Sequence, residues 1–349
     1  MRSRRITIFD IAEEAGVSVA TVSRALSDTQ NLKSAKQRKV LEVVKKYNYK
    51  PSVAARGLNQ GQSKLISIGL PELAHPFYSE LFAAAAFEAR ANGYSVIPTR
   101  VPDNSSGYQA FLDQLIERRP DGLILAGGIV EDEAENYRLT VLNQLRNYMP
   151  IVLISDPIEE FPCVYISCDM EETAKTTVRH LHALGHKRIA FLGGKQNKRG
   201  SGKREQGYCD AMRMLGLEEY ICVRFVSGYA PEDGVIGINK LLSELSGPER
   251  PTAVIAINDL VAMGILRQLS AMGIRVPEDM AVVGCDNQFL SAYTNPPLTT
   301  VDLHISEHGR HAMTHLLQWE KGQSFHHLLP TDLIVRESCG VKLGRRDTL

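Results

Sequence analysis

No apolar run in this chain approaches the roughly 18 residues needed to cross a bilayer, so no helical membrane span is expected. The start, MRSRRITIFDIAEEAG, is basic but passes directly into charged, helix-like sequence. It lacks the apolar stretch of an export signal, and the expected setting is cytoplasmic. Cysteine is sparse. The six residues at 163, 168, 209, 222, 285 and 339 include no C-x-x-C pair, which argues against a disulfide scaffold and for reduced, mostly core thiols. Net charge is zero, yet residues 1–63 carry twelve Lys/Arg against five Asp/Glu, giving +7 and leaving −7 on the remainder. A small basic head on an acidic body points to a polyanion partner for the head alone.

What the chain does have is enough length and apolar content for a substantial core. Its 349 residues, 44% hydrophobic and 23% charged, allow roughly two domains of about 150 residues plus a small module. Three short helices fit the head. Thr7 with Asp10 three residues on forms a capping pattern before an apolar stripe of Ile8, Ile11, Ala12 and Ala15, and Gly16 ends that helix. Ser18 can cap a second helix with Val22, Ala25 and Leu26 inward. Ser34 with Gln37 opens a third through about Tyr47, with Val40, Val44 and Tyr47 inward. Pro51 stops it, and SVAARGLNQGQS reads as a linker.

From Leu65 the rhythm becomes strand, helix, strand. LISIGL, YSVIPTR, DGLILAGG and IVLISD read as strands, separated by helices at SELFAAAAFEARANG and YQAFLDQLIERR. After a link near residues 157–170 the series resumes. It has helices at 171–184, from about 204, at 232–245 and at 260–272, and strands RIAFLGG, CVRFV, TAVIAIND and MAVVGCD. Such alternation predicts parallel sheets covered on both faces, here as two Rossmann-like subdomains. Ligands in such folds sit beyond the carboxyl ends of the strands, so the default site is the cleft between the subdomains.

Two short helices joined by a Gly-containing turn and followed by a third form the helix-turn-helix pattern, whose second helix enters the major groove. With Val22, Ala25 and Leu26 inward, Val19, Ala20 and Arg24 face a partner, while Ser18, Thr21 and Ser23 can reach phosphates. Arg24 suits a guanine and Val19 and Ala20 suit thymine methyls. The plainer alternative is a helical bundle with a solvated basic face. Enzyme motifs fail. In GGKQNKRGSGKRE the phosphate-loop pattern breaks at Asn197 and Arg204, and G-x-G-x-x-G breaks at Glu205. His304, His308, His311 and His315 lie on one probable helix at spacings that can recruit a metal, but a solvated or interface face is the favoured reading. No Ser-His-Asp arrangement stands out. Neither metal nor cofactor is expected.

At this point a resemblance becomes specific. TIFDIAEEAGVSVATVSRALS and YNYKPSVAARGLNQGQS closely resemble the lactose-repressor/galactose-repressor (LacI/GalR) family of bacterial regulators. So do IGLPELAHPFYSEL, HLHALGHKRIAFLGG, AVIAINDLVAMG, VVGCDNQFLSAYTNPPLTTV and LLPTDLIVRES. The resemblance implies an α/β chain with a three-helix helix-turn-helix head and a hinge helix. Two Rossmann-like subdomains of periplasmic-binding-protein type would follow. The corresponding boundaries are 1–50 for the head, 51–63 for the hinge and linker, 64–340 for an effector-binding and dimerisation core of two interleaved subdomains, and 341–349 for a tail. It places Val19 and Ala20 as the operator-reading pair, supported by Arg24. Thr7, Ser18, Thr21, Ser23, Asn31 and Tyr49 fall at DNA-backbone positions, and Ala55 and Leu58 on the hinge helix Ser52–Leu58, with Leu58 wedged into the minor groove. Gly57 weakens that helix by about 1 kcal/mol against Ala.

Strand ends, as the fold rule expects, and the same resemblance together give the cleft its residues. His75, Phe77 and Tyr78 follow the first strand; Phe77 can stack on a sugar or belong to the core. Arg204 aligns with an effector-binding arginine, Tyr229 with an aromatic platform, and Asp286 with a hydroxyl-accepting carboxylate whose alternative role is to cap a loop. Asn258 ends a strand. Ser155 stands where many relatives carry an acid, with Asp156 beside it. The implied protein is a sequence-specific transcriptional regulator, a repressor by expectation. It would be a homodimer on near-palindromic double-stranded DNA, controlled by a small carbohydrate effector, cytoplasmic and nucleoid-associated. The rival readings are a cytosolic sugar-binding module and an α/β enzyme. The tail GVKLGRRDTL carries no apolar heptad, so a dimer rather than a tetramer is expected.

Overall fold

The structure, a computed structural model, describes residues 6–27, 34–49, 62–102, 105–131, 135–196 and 198–341. Asn31, the hinge segment Ser52–Leu58 with Ala55, and the tail from residue 342 on lie outside them. The chain divides into two compact units, Met1–Lys64 and Leu65–Leu349.

The smaller unit has helices α1 (Ile8–Ala15), α2 (Val19–Ser27) and α3 (Ala35–Lys46). Each begins on a local signal. The Thr7 side chain accepts from the Asp10 amide while Asp10 accepts from the Thr7 amide, and Ser34 and Gln37 repeat the exchange, so otherwise unpartnered helix-end donors are satisfied. Gly16 closes α1 in the left-handed region, φ 67°, where a Cβ would be strained. Ile11, Ala12, Ala15, Val22, Ala25, Val40 and Val43 make the core. The inward face of α3 runs through Val43, and Tyr47, expected inward, is exposed with Lys46 over its ring at 4.9 Å.

The larger unit contains two six-stranded sheets of the same design. The first orders its strands β11-β5-β4-β3-β1-β2, and the second β12-β10-β9-β8-β6-β7. In chain order the first subdomain runs β1 (Leu65–Leu70), α4 (Pro76–Ala91), β2 (Ser95–Arg100), α5 (Tyr108–Arg118), β3 (Gly122–Ala126), α6 (Glu135–Arg146), β4 (Ile151–Ile154) and β5 (Val164–Cys168). The chain then crosses into α7 (Met170–Ala183), β6 (Ile189–Gly193), α8 (Arg199–Met214), β7 (Cys222–Phe225), α9 (Pro231–Glu244), β8 (Ala253–Ala256), α10 (Asp259–Ala271), β9 (Ala281–Cys285) and β10 (Thr299–Asp302). It returns for α11 (Ile305–Leu317) and β11 (Phe325–Leu329), and crosses a third time to β12 (Asp332–Ile334). Every pairing is parallel except β10 with β12, an antiparallel edge. Central strands β3, β4, β6, β8 and β9 are buried along their whole length, as parallel strands covered on both faces must be.

Two sequence expectations need correction. The link read at 157–170 contains β5, five buried residues that carry the first sheet outward from β4. Helix α8 starts at Arg199, five residues before the expected position, which puts a full extra turn at the cleft. No helix among the described residues is long and apolar enough to cross a membrane.

Helices α9 and α10 approach closely through glycine. A Cβ on Gly264 would lie 1.8 Å from the Pro231 carbonyl oxygen, and one on Gly234 would lie 2.1 Å from that of Val261. Gly264→Ala should therefore destabilise the larger unit by about 1–3 kcal/mol, because backbone must shift. Gly202→Ala in α8, where nothing lies within 4 Å, should be neutral or stabilising by about 0.5–1 kcal/mol. Urea unfolding of both variants checks this; equal effects would contradict the close helix approach.

Candidate functional sites

On the head, α2 presents Ala20 and Arg24 to solvent, and Arg24 Nε donates to the Ala20 carbonyl at 3.2 Å, so its guanidinium lies along the helix surface. Val19, expected to face a partner, is half-buried against the head's core. Ser18 caps α2: its Oγ accepts from the Thr21 amide at 3.3 Å and lies 3.0 Å from Thr21 Oγ1. Thr7 Oγ1 donates to Asp10 at 2.6 Å. A hydroxyl used as a cap keeps a lone pair or proton for a second partner, so capping and phosphate contact are compatible. Tyr49 is half-buried against the core, and burial pushes its phenol up.

A cleft of about 1160 Å³ opens at the carboxyl ends of both sheets, within the larger unit. Its lining brings together all eight side chains named from the sequence: His75, Phe77, Tyr78, Ser155, Arg204, Tyr229, Asn258 and Asp286. Phe77 both lines it and packs on the core of the first subdomain. The rings fit because two glycines make room. A Cβ on Gly127, itself at φ 66°, would lie 2.3 Å from the Tyr78 hydroxyl, and one on Gly194 would lie 2.2 Å from the Tyr229 ring.

In the cleft a half-buried guanidinium stands near a buried carboxyl. Arg204 Nη1 donates to the Ile257 carbonyl at 3.1 Å and Nε to Met170 Sδ at 3.3 Å, leaving three of the guanidinium's five N–H donors unengaged among the described residues. Asp286 is 5% exposed, and its side chain makes no hydrogen bond within the described residues, so it does not cap the following loop. Burial pushes its carboxyl well above the usual carboxylate range, while the nearby Arg204 opposes that shift. Its backbone sits at φ 111°, a region that L residues rarely occupy and that collects at ligand sites. Asn258 is already committed: Oδ1 caps α10 at the Val261 amide, 2.8 Å, and Nδ2 donates to the Tyr229 carbonyl at 3.1 Å. That leaves Asn258 to position Tyr229 and to face His75 Nε2 at 3.5 Å. His75 Nδ1 is buried without a partner among the described residues, and burial lowers its pKa.

Helix α8 supplies what the sequence left unassigned. The Gly200 amide donates to Glu131 at 2.9 Å, Lys203 pairs with Asp156 at 3.0 Å, and Arg199 donates to the Pro157 carbonyl at 3.2 Å. These contacts join the start of α8, in the second subdomain, to loops of the first. Arg199, Gly200 and Lys203, which fall within the failed phosphate-loop pattern, thus bridge the two subdomains beside the cleft. Asp156, beside Ser155, also accepts from Ser167 Oγ at 3.2 Å, and Ser167 lies 2.8 Å from His326 Nε2. No local pattern marks Glu131, Ser167 or His326; only the folded crossings bring them here.

Residues 7–52 match the model of bacterial regulatory proteins of the lacI family, and residues 178–339 that of a periplasmic binding protein-like domain. The chain is 32% identical over 340 residues to the transcriptional repressor CytR of Escherichia coli, covering 95% of this chain and 96% of that one. It is 30% identical to catabolite control protein A of Priestia megaterium, over 90% and 92% of the two chains. Among solved structures, the lac repressor dimer bound to operator and the anti-inducer ONPF aligns with a TM-score of 0.84 at 27% identity, covering 96% of this chain and 99% of that one. The regulator CelR in complex with cellobiose aligns at 0.69 and 25% identity, covering 96% and 100%.

His308 lines the same cleft and is 3% exposed, not on the solvated face expected for the α11 histidines. Its Nδ1 lies 3.2 Å from the His304 carbonyl, which only accepts, so Nδ1 carries the proton. Burial lowers its pKa to about 4. Between pH 6.5 and 4 the unfolded chain binds a proton at this site that the folded chain does not. Acidification there should remove up to about 3 kcal/mol of stability. Asp259, raised by burial to about 6, acts with the opposite sign between pH 3.8 and 6. His308→Gln should therefore lose less stability than the wild type between pH 7 and pH 5, read as the change in Tm. An identical change would show that His308 titrates as it does in water.

Proposed function

Because the chain belongs to the LacI family of bacterial regulators, we propose that it acts as a homodimeric repressor whose hold on a near-palindromic operator is set by a carbohydrate in the cleft. It is a DNA-binding transcriptional regulator with a ligand-binding core, and its relatives are regulators, not enzymes. The reading divides the chain into a head at 1–50, a hinge and linker at 51–63, a core at 64–340 and a tail. It acts in the cytoplasm, on the nucleoid. On the head, Val19, Ala20 and Arg24 read bases. Thr7, Ser18, Thr21, Ser23, Asn31 and Tyr49 fix the backbone, and Ala55 and Leu58 engage the minor groove.

The observation that carries the effector reading is that Arg204 and Asp286, with unengaged hydrogen-bonding groups among the described residues, line one cleft with the rings of Phe77, Tyr78 and Tyr229. Vicinal hydroxyls can accept from a planar guanidinium and donate to a carboxylate, while the C–H face of a pyranose packs on Phe77 or Tyr229. His75, Tyr78, Ser155 and Asn258 complete the lining. The structural neighbour CelR, in complex with cellobiose, supports a saccharide-sized occupant. Exposed Phe87, Phe289 and Tyr293 on the body offer apolar surface of the kind a dimer covers.

Thermal-shift screening of the full chain against sugars, sugar phosphates and nucleobases tests the effector class. A ligand at 100 times its Kd stabilises by about 2.7 kcal/mol. A sugar or sugar phosphate should shift the wild type, and Arg204→Ala and Asp286→Ala should abolish the shift; response to a nucleobase alone would overturn the carbohydrate reading. For the head, Arg24→Ala should weaken operator binding by about 1–3 kcal/mol and relax preference at one base position. Equal loss on every sequence would make Arg24 a phosphate contact instead.

A further inference from the structure

On the first subdomain, away from the cleft lining, three imidazoles converge. His311 and His315 stand one turn apart on α11, and His327 comes from the adjoining strand β11. One ring nitrogen from each lies within 4.8 Å of the others, the only group of potential metal ligands of this kind among the described residues. His315 Nε2 and His327 Nδ1 are 3.2 Å apart. The ring of His311 lies 4.3 Å from that of His327, centroid to centroid, and the Phe325 ring meets His315 edge-on at 4.8 Å. Along β11 burial alternates, so His327 shares its face with Phe325 and Leu329. The strand's pleat, not the helix alone, presents the third nitrogen.

We propose that His311, His315 and His327 form a binding site for a divalent transition-metal ion of the zinc class. Zinc binds imidazole nitrogen at about 2.0–2.1 Å, so two nitrogens of a tetrahedral site stand roughly 3.3 Å apart, close to the His315–His327 spacing. Small side-chain rotations bring in His311. Imidazole-only donor sets favour zinc, copper and nickel over calcium or magnesium. Three ligands leave a fourth position for water, and all three histidines are half-buried, so solvent can reach it. Burial and the neighbouring imidazoles lower the pKa values of His311 and His315, which keeps neutral rings available to an ion. The charged groups beside the cluster compensate one another. Glu307 Oε2 lies 3.5 Å from His311 Nε2, and Arg310, 3.3 Å from the same nitrogen, is paired to Glu307.

The competing account is a bare N–H···N hydrogen bond between His315 and His327. The two are separated by isothermal titration of the untagged, EDTA-treated full chain with zinc chloride. The site predicts one ion per chain at micromolar affinity or tighter. His315→Ala and His327→Ala should each weaken binding at least about tenfold, while His186→Ala, distant in sequence and hydrogen-bonded to Thr252, should leave it unchanged. Because a variant can unfold, cobalt(II) added to the wild type supplies an independent reading. Paramagnetic broadening should strike the imidazole signals of His311, His315 and His327 before those of His180 and His186. Absence of zinc binding up to the millimolar range, unchanged affinity in the triple alanine variant, or cobalt broadening centred elsewhere would each overturn the proposal.

Discussion

A half-buried guanidinium and a buried carboxyl lining one cleft are the constraint around which this body is arranged. A buried polar group without a partner costs about 1–3 kcal/mol, and more if charged. Arg204 and Asp286 each keep unused hydrogen-bonding capacity there, and Asp286 is also held in a rarely occupied backbone conformation. The fold provides that setting. Both groups stand on the second subdomain beyond the carboxyl ends of its strands, and three chain crossings bring the first subdomain over them. In the proposed reading, a ligand with vicinal hydroxyls satisfies both groups at once.

The contacts that close the cleft are small by comparison. Gly200 to Glu131, Lys203 to Asp156, Arg199 to the Pro157 carbonyl and Asn258 beside His75 are single polar links. Each is of the kind that contributes about 1 kcal/mol or less when partly exposed. A ligand that prefers one subdomain arrangement by a few kcal/mol can reorder all of them, and only such differential affinity shifts the equilibrium. In the proposed mechanism this is how occupancy reaches the DNA-binding head: by selecting an arrangement of the subdomains from which the hinge segments of a dimer emerge.

Local chemistry was the legible part of the sequence. Thr7 with Asp10, Ser34 with Gln37 and Gly16 announce their caps within four residues, and the long alternating series announces two parallel sheets. The cleft lining was legible through strand ends and family likeness together. What stayed hidden depends on pairing between distant segments. Strand β5 lies in a short run after Pro157 and Pro162, and it reads as a strand only once β4 and β11 flank it. β10 and β12 are four and three residues long; β10 is held between β9 and β12, and β12 pairs with β10 alone. Tyr47 keeps the helical spacing of an inward residue, but the core takes Val40, Val43 and, partly buried, Val44, and leaves Tyr47 exposed. The α11 histidines look like one face of a helix until β11 brings His327 beside two of them, while His308 turns into the cleft.

The most direct test of the account is a linkage cycle on one complex. Operator affinity of the full chain is measured by fluorescence anisotropy with and without saturating cleft ligand, in the wild type and in Asp286→Asn, which keeps the shape and removes the ionisable carboxyl. The account predicts that ligand changes wild-type operator affinity by about 5–150-fold, the usual range of allosteric coupling. The variant should hold the operator as the wild type does but lose most of that response. A ligand that binds the cleft tightly yet leaves operator affinity unchanged in the wild type would contradict it.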